Sequence, residues 1–166
     1  MLTGTARRMC RALEPLGLVW IEEPLDAHDF EGHAVLASTF DTPIATGEML
    51  TSTAEHAELI RAGGADVAQP DAPRIGGITR FLKVMALADH RNLQLAPHFA
   101  MEIHVHLAAA YAREPWVEHF EWLDPLFDEH LEIADGRMHL SPRPGLGASI
   151  SDQVRACTVA EHEIRA

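Results

Sequence analysis

The chain has 166 residues, 47% of them hydrophobic, and a formal net charge of −12. That length buries a real core, and the acidic balance argues against a nucleic-acid footprint, which needs basic patches. No apolar run approaches the roughly 18 residues of a membrane span.

The opening Thr3-Gly4-Thr5-Ala6-Arg7-Arg8 lacks the apolar stretch that follows the arginines of a signal peptide. Residues 2–16 read instead as a helix. Leu18-Val19-Trp20-Ile21 is the first apolar run and ends at Glu22. Pro43-Ile44-Ala45-Thr46 is the second, ending at Gly47-Glu48. Thr51 or Ser52 then caps a helix that runs to Ala62 and stops at Gly63-Gly64. Val67-Ala68-Gln69-Pro70 leads to Asp71. A helical pattern over 76–91 sets Ile78, Phe81, Leu82 and Met85 at helical spacing, with Arg80, Lys83 and Asp89 elsewhere. Leu93-Gln94-Leu95-Ala96 leads to Pro97-His98, and 101–112 is apolar nearly all round, as in a buried helix. The run Trp116 to Phe120 ends at Glu121. Arg137 to Leu140 reads as a short strand and Pro142 to Gly147 as an irregular loop.

The apolar runs are too short and too uniformly apolar for one-sided strands, so they read as strands of a parallel sheet buried on both faces. Alternation with helices gives an α/β fold. Glu22, Glu48, Asp71, His98 and Glu121 recur at intervals of 23 to 27 residues, the length of one βα unit. In a barrel of parallel strands such strand-end residues converge on one mouth. Four acids and a histidine there call for a shared proton or a hard divalent cation held by carboxylate oxygens. Cys10 and Cys157 lie far apart with no paired framework, which suits free thiols in a reducing, cytoplasmic setting.

Trp20-Ile21-Glu22-Glu23-Pro24, Gly47-Glu48, Pro70-Asp71-Ala72-Pro73-Arg74-Ile75-Gly76-Gly77, Pro97-His98 and Phe120-Glu121-Trp122-Leu123-Asp124 resemble the mandelate racemase branch of the enolase superfamily. Within it, the stretches Ala96 to Leu107 and Glu114 to Leu123 are similar to the galactarate/talarate dehydratase subfamily. The resemblance implies the C-terminal part of a TIM-type (β/α) barrel of about five parallel βα units, over residues 1–136. Residues 137–166 would return to a capping domain. It implies Mg²⁺ as cofactor, with Glu22 and Glu48 as two of three carboxylate ligands. Asp71 would orient His98, His98 would act as general acid/base, and Glu121 would hydrogen-bond a substrate carboxylate oxygen. The implied reaction is dehydration, with epimerisation as a side reaction, of an acid sugar by removal of the proton α to a carboxylate.

Three parts of the family pattern are missing: the capping domain, the first metal aspartate and a Lys-x-Lys base, since Lys83 is the chain's one lysine. Met1 falls inside a helix pattern, so the chain is expected to be the C-terminal half of a longer protein, a mis-assigned start or one half of a split enzyme. An exposed first-strand edge would need a covering chain, either the N-terminal half or a second copy. The alternatives are a non-catalytic half-barrel that needs a partner, and a racemase of 2-hydroxy acids. Arg74 either steers an anionic substrate or is a solvated loop residue. Glu23 reads as an inward structural acid. His104 and His106 stand at i and i+2, on different helix faces, and so do not form a metal pair.

Overall fold

In a computed structural model, residues 3–163 are described. Leu2, where the expected first helix opens, and residues 164–166 of the expected return segment lie outside them. The chain divides into two compact units, Met1–Glu118 and His119–Ala166.

The first unit alternates α1 (Thr3–Leu13), β1 (Ile21–Glu22), α2 (Phe30–Ala37), β2 (Ile44–Thr46), α3 (Thr53–Ala62), β3 (Val67–Ala68), α4 (Ala72–Ile75), α5 (Ile78–His90), β4 (Gln94–Leu95) and α6 (Met101–Ala109). The four strands form one parallel sheet in the order β1-β2-β3-β4. Successive side chains of a strand point to opposite faces, and both faces here are apolar. Ile44 packs with Ala6, Cys10, Leu36 and Phe40, under α1 and α2. Ala68 and Leu95 pack with Ile75, Phe81, Val84 and Leu107, under α5 and α6. The alternate residues Ala45, Val67 and Ala96 form a separate cluster with Trp20 against it. Burial on both sides is why these strands read as continuous apolar runs.

The helix ends follow local chemistry. Ser52 Oγ accepts from the Glu55 backbone N at 3.2 Å, and the Glu55 carboxylate accepts from the Thr51 backbone N at 2.8 Å. Gly63 closes α3 at φ 75°. The helix expected over 76–91 begins later, at Ile78, because Gly76 (φ 91°) and Gly77 (φ 103°) break it from the single turn of α4.

The fifth expected strand, 116–120, does not pair as one. Its backbone makes one bond to the sheet edge, Trp116 N to Leu95 O at 2.9 Å. Two residues on from Leu95, Pro97 has no N–H with which to continue that ladder. Further along the same edge, the N–H of Phe99 is taken by the Glu118 side chain. Four parallel βα units therefore stand where about five were expected.

In the second unit a 3-10 helix (Glu121–Leu126) precedes an antiparallel hairpin of β5 (Glu132–Ala134) and β6 (Arg137–His139), and α7 (Asp152–Arg155) follows. The expected strand at 137–140 is β6. Among the described residues no helix is long and apolar enough to cross a membrane, and both cysteines are free, Cys10 buried and Cys157 exposed.

Candidate active site

Each strand of the first unit delivers one ionisable residue at its C-terminal end or just past it: Glu22, Glu48, Asp71 and His98. Asp71 caps α4, and its Oδ1 accepts from the Arg74 backbone N at 3.0 Å. Its Oδ2 lies 3.0 Å from His98 Nδ1. A carboxylate accepts only, so Nδ1 carries the proton and Nε2 is the basic nitrogen. Nε2 stands 3.5 Å from Glu48 Oε2. Asp71 is 4% exposed and His98 20%, so the pair is shielded on the aspartate side and open on the imidazole side.

Burial pushes the Glu48 carboxyl above its ordinary range; His98 opposes this, Glu23 and Glu22 add to it, and Arg74 opposes it weakly. Three carboxylates therefore share one field with a histidine and an arginine. The Glu22 Oε2 accepts from Trp20 Nε1 at 3.1 Å and Gln69 Nε2 at 2.6 Å. Glu23 behaves as the structural acid expected: its Oε1 accepts from Thr46 Oγ1 at 3.0 Å and from Gly47 N at 3.4 Å, latching the end of β1 to the end of β2. Gly47 is held at φ 127°, which only glycine adopts without strain.

Arg74 lies at the same corner, with Nε 3.8 Å from Asp71 Oδ2 and Nη1 3.3 Å from Met49 Sδ. Glu121 belongs to the second unit, at the start of the 3-10 helix, exposed and 3.4 Å from His119 Nε2.

Three supporting residues are not singled out by the sequence as site residues. His104 Nε2 accepts from the Ala72 backbone N at 3.0 Å, and its Nδ1 lies 3.3 Å from the Phe99 carbonyl. It thus ties the turn after Asp71 to the turn after His98, with both of its ring nitrogens against the backbone. The other two are Trp20 and Gln69, on Glu22. Trp20 opens the Trp20-Ile21-Glu22-Glu23-Pro24 stretch, whereas the only signal of Gln69 is its position next to a strand end.

Burial holds both His56 and His104 below the ordinary histidine value of 6.5. The fold keeps them neutral while the unfolded chain protonates near 6.5, so stability rises with pH across the window below 6.5. The urea midpoint is expected to fall as pH drops from 7.5 toward 5. The drop should be smaller in His104→Asn, and an equal drop in both chains would contradict this assignment.

Among the described residues no group of three or more His, Cys, Asp or Glu is arranged to hold a metal ion. Two carboxylates, Glu22 and Glu48, do share a field of repulsion that a cation relieves. Such hard oxygen donors suit Mg²⁺, which commonly takes one or two carboxylates and completes its shell with water and substrate oxygens.

A family model described as enolase C-terminal domain-like matches residues 1–154. The chain is 62% identical over 154 residues to an L-talarate/galactarate dehydratase of Salmonella typhimurium, covering 93% of this chain and 39% of that relative. A crystal structure of L-talarate dehydratase from Polaromonas sp. JS666, complexed with Mg and L-glucarate, superposes with a TM-score of 0.92 at 69% identity, over 94% of this chain and 42% of that one. The Salmonella enzyme liganded with Mg and L-lyxarohydroxamate gives 0.92 at 61% identity, over 94% and 40%. The chain thus spans about two fifths of the length of the relatives it matches.

Proposed function

The chain belongs to the enolase C-terminal domain-like family, and from that premise we propose that it supplies the acid/base half of a Mg²⁺-dependent acid-sugar dehydratase. The substrate class is a hexarate such as galactarate or L-talarate, with epimerisation as a side reaction. The observation that carries the reading is the Asp71–His98 pair at 3.0 Å, with the free imidazole nitrogen facing Glu48.

Glu22 and Glu48 would hold Mg²⁺. Bound there, the ion supplies positive charge to a substrate carboxylate whose adjacent C–H is being broken. His98 Nε2 takes that proton, and Asp71 steadies the imidazolium that results. The imidazolium then returns its proton. Delivered to a β-hydroxyl, it lets that group leave as water and the product is the dehydrated acid; delivered to carbon from the same face, it regenerates substrate, and epimerisation takes its proton from the opposite face, from a donor that the N-terminal half would supply. Arg74, close over Asp71, is assigned the approach of the substrate's second carboxylate. Glu121 keeps the role the resemblance implies, a hydrogen bond to a substrate carboxylate oxygen, which its carboxyl group would donate only in the protonated form. The cytoplasm, and assembly with a chain bearing the N-terminal half or with further copies, complete the proposal.

One observation favours a second reading. The described residues offer no three-ligand group, and that suits a non-catalytic half-barrel. Turnover separates the two. In a segment exchange, residues 1–154 of this chain replace the matching segment of the Salmonella dehydratase. The chimera is expected to remove water from galactarate or L-talarate with Mg²⁺ and to stop when the ion is chelated. A folded chimera that turns over neither acid would refute the proposal.

A further inference from the structure

We propose that Gln69 and Trp20 are positioning residues that hold Glu22 by its Oε2 and leave Oε1 as the oxygen offered to the cation. This rests on the reading of Glu22 as a metal ligand, and it adds which oxygen binds and what orients it.

Gln69 follows β3, yet its side chain reaches past the end of β2 to Glu22 at the end of β1, 47 residues away in sequence. Its own backbone N donates to Thr46 O at 3.0 Å, so the root of the side chain is fixed by the sheet. The amide orientation is dictated by chemistry. Its oxygen turned toward Glu22 would set acceptor against acceptor, so the NH₂ faces the carboxylate, at 2.6 Å. Gln69 is 5% exposed, and its Oε1 is buried without a hydrogen-bond partner. The fold therefore tolerates an orphaned carbonyl in order to place that NH₂.

Trp20 supplies the second donor, Nε1 at 3.1 Å. Its ring is braced edge-on against Trp116, with centroids 5.7 Å apart. Two donors saturate the two lone-pair directions of Oε2, and among the described residues no donor reaches Oε1. Both donors are neutral. They fix the carboxylate's orientation without cancelling its charge, as an arginine or lysine there would. Outer groups of this kind orient a ligand and tune its affinity.

The test is a calorimetric Mg²⁺ titration of the chain, paired with thermal unfolding, for wild type, Glu22→Gln, Gln69→Met and Trp20→Phe. Gln69→Met keeps the shape and removes both the donor and the orphaned carbonyl. It is expected to weaken Mg²⁺ binding by about 10- to 100-fold while the unfolding midpoint stays level or rises. A merely structural residue would instead lower the midpoint. Trp20→Phe removes one N–H and should weaken binding in the same direction. If Gln69→Met does not fold, Trp20→Phe decides: weaker binding supports the proposal and unchanged binding overturns it. Unchanged affinity in Gln69→Met, with binding lost in Glu22→Gln, overturns the clamp and leaves Glu22 as a ligand. A wild-type chain that takes up no Mg²⁺ in the millimolar range overturns both.

Discussion

Asp71→Asn is expected to lower kcat of the segment-exchanged dehydratase by about 10³- to 10⁴-fold, or roughly 4 to 5.5 kcal/mol of barrier. The same change beside the histidine of a Ser-His-Asp site costs about 10⁴-fold because the wrong imidazole tautomer is favoured. Here Asp71 Oδ2 meets His98 Nδ1 at 3.0 Å, so the proton resides on Nδ1 and the lone pair on Nε2. An asparagine NH₂ at that place donates to Nδ1, moves the proton to Nε2 and removes the base. Asparagine still caps a helix, so the bond from Arg74 N to Oδ1 survives. The unfolding midpoint and the Mg²⁺ affinity should therefore move little, and the loss should fall on kcat. A loss below tenfold would mean that Asp71 only caps α4.

Phe81→Ala should destabilise the chain by about 3–5 kcal/mol, against the 5–15 kcal/mol that holds a typical domain folded. Phe81 is fully buried within the core that α5 and α6 press onto β3 and β4. Its ring stacks on His104, centroids 5.5 Å apart at 29°. Removal leaves a cavity beside the residue that joins the turns after Asp71 and His98. The urea midpoint should fall with an unchanged slope, and a shift worth less than 1 kcal/mol would contradict the packing described. Leu82→Ala, on the exposed side of α5, is the matched control with a small effect.

The strand-end series was legible because it rests on two local signals, a short apolar run and the ionisable residue that ends it. Ile44, Val67 and Leu95 are buried on alternating faces of one parallel sheet, which the apolar runs already required. The capped helix after Ser52 was legible for the same reason, since its signals lie within four residues of its ends. The fifth run was not. Trp116 to Phe120 has the composition of a strand, but whether it pairs is decided by Pro97, which has no N–H to offer it, and by Glu118 taking the Phe99 N–H, contacts that composition does not carry. The break at Gly76-Gly77 had a visible signal, two adjacent glycines, outweighed by the helical spacing around it. Gln69 was illegible as a functional residue: a glutamine at a strand end has no spacing rule, and its partner lies 47 residues away. Glu121 was read by its interval from His98, and it stands in the second unit, paired with His119.

The central claim is that His98 is the base on which turnover depends. The most direct measurement is the initial rate of galactarate dehydration by the segment-exchanged enzyme with saturating Mg²⁺, compared with the same enzyme carrying His98→Asn. A Mg²⁺-dependent rate is expected in the first and loss to background in the second, with Mg²⁺ affinity retained in both. Turnover that survives His98→Asn would contradict it.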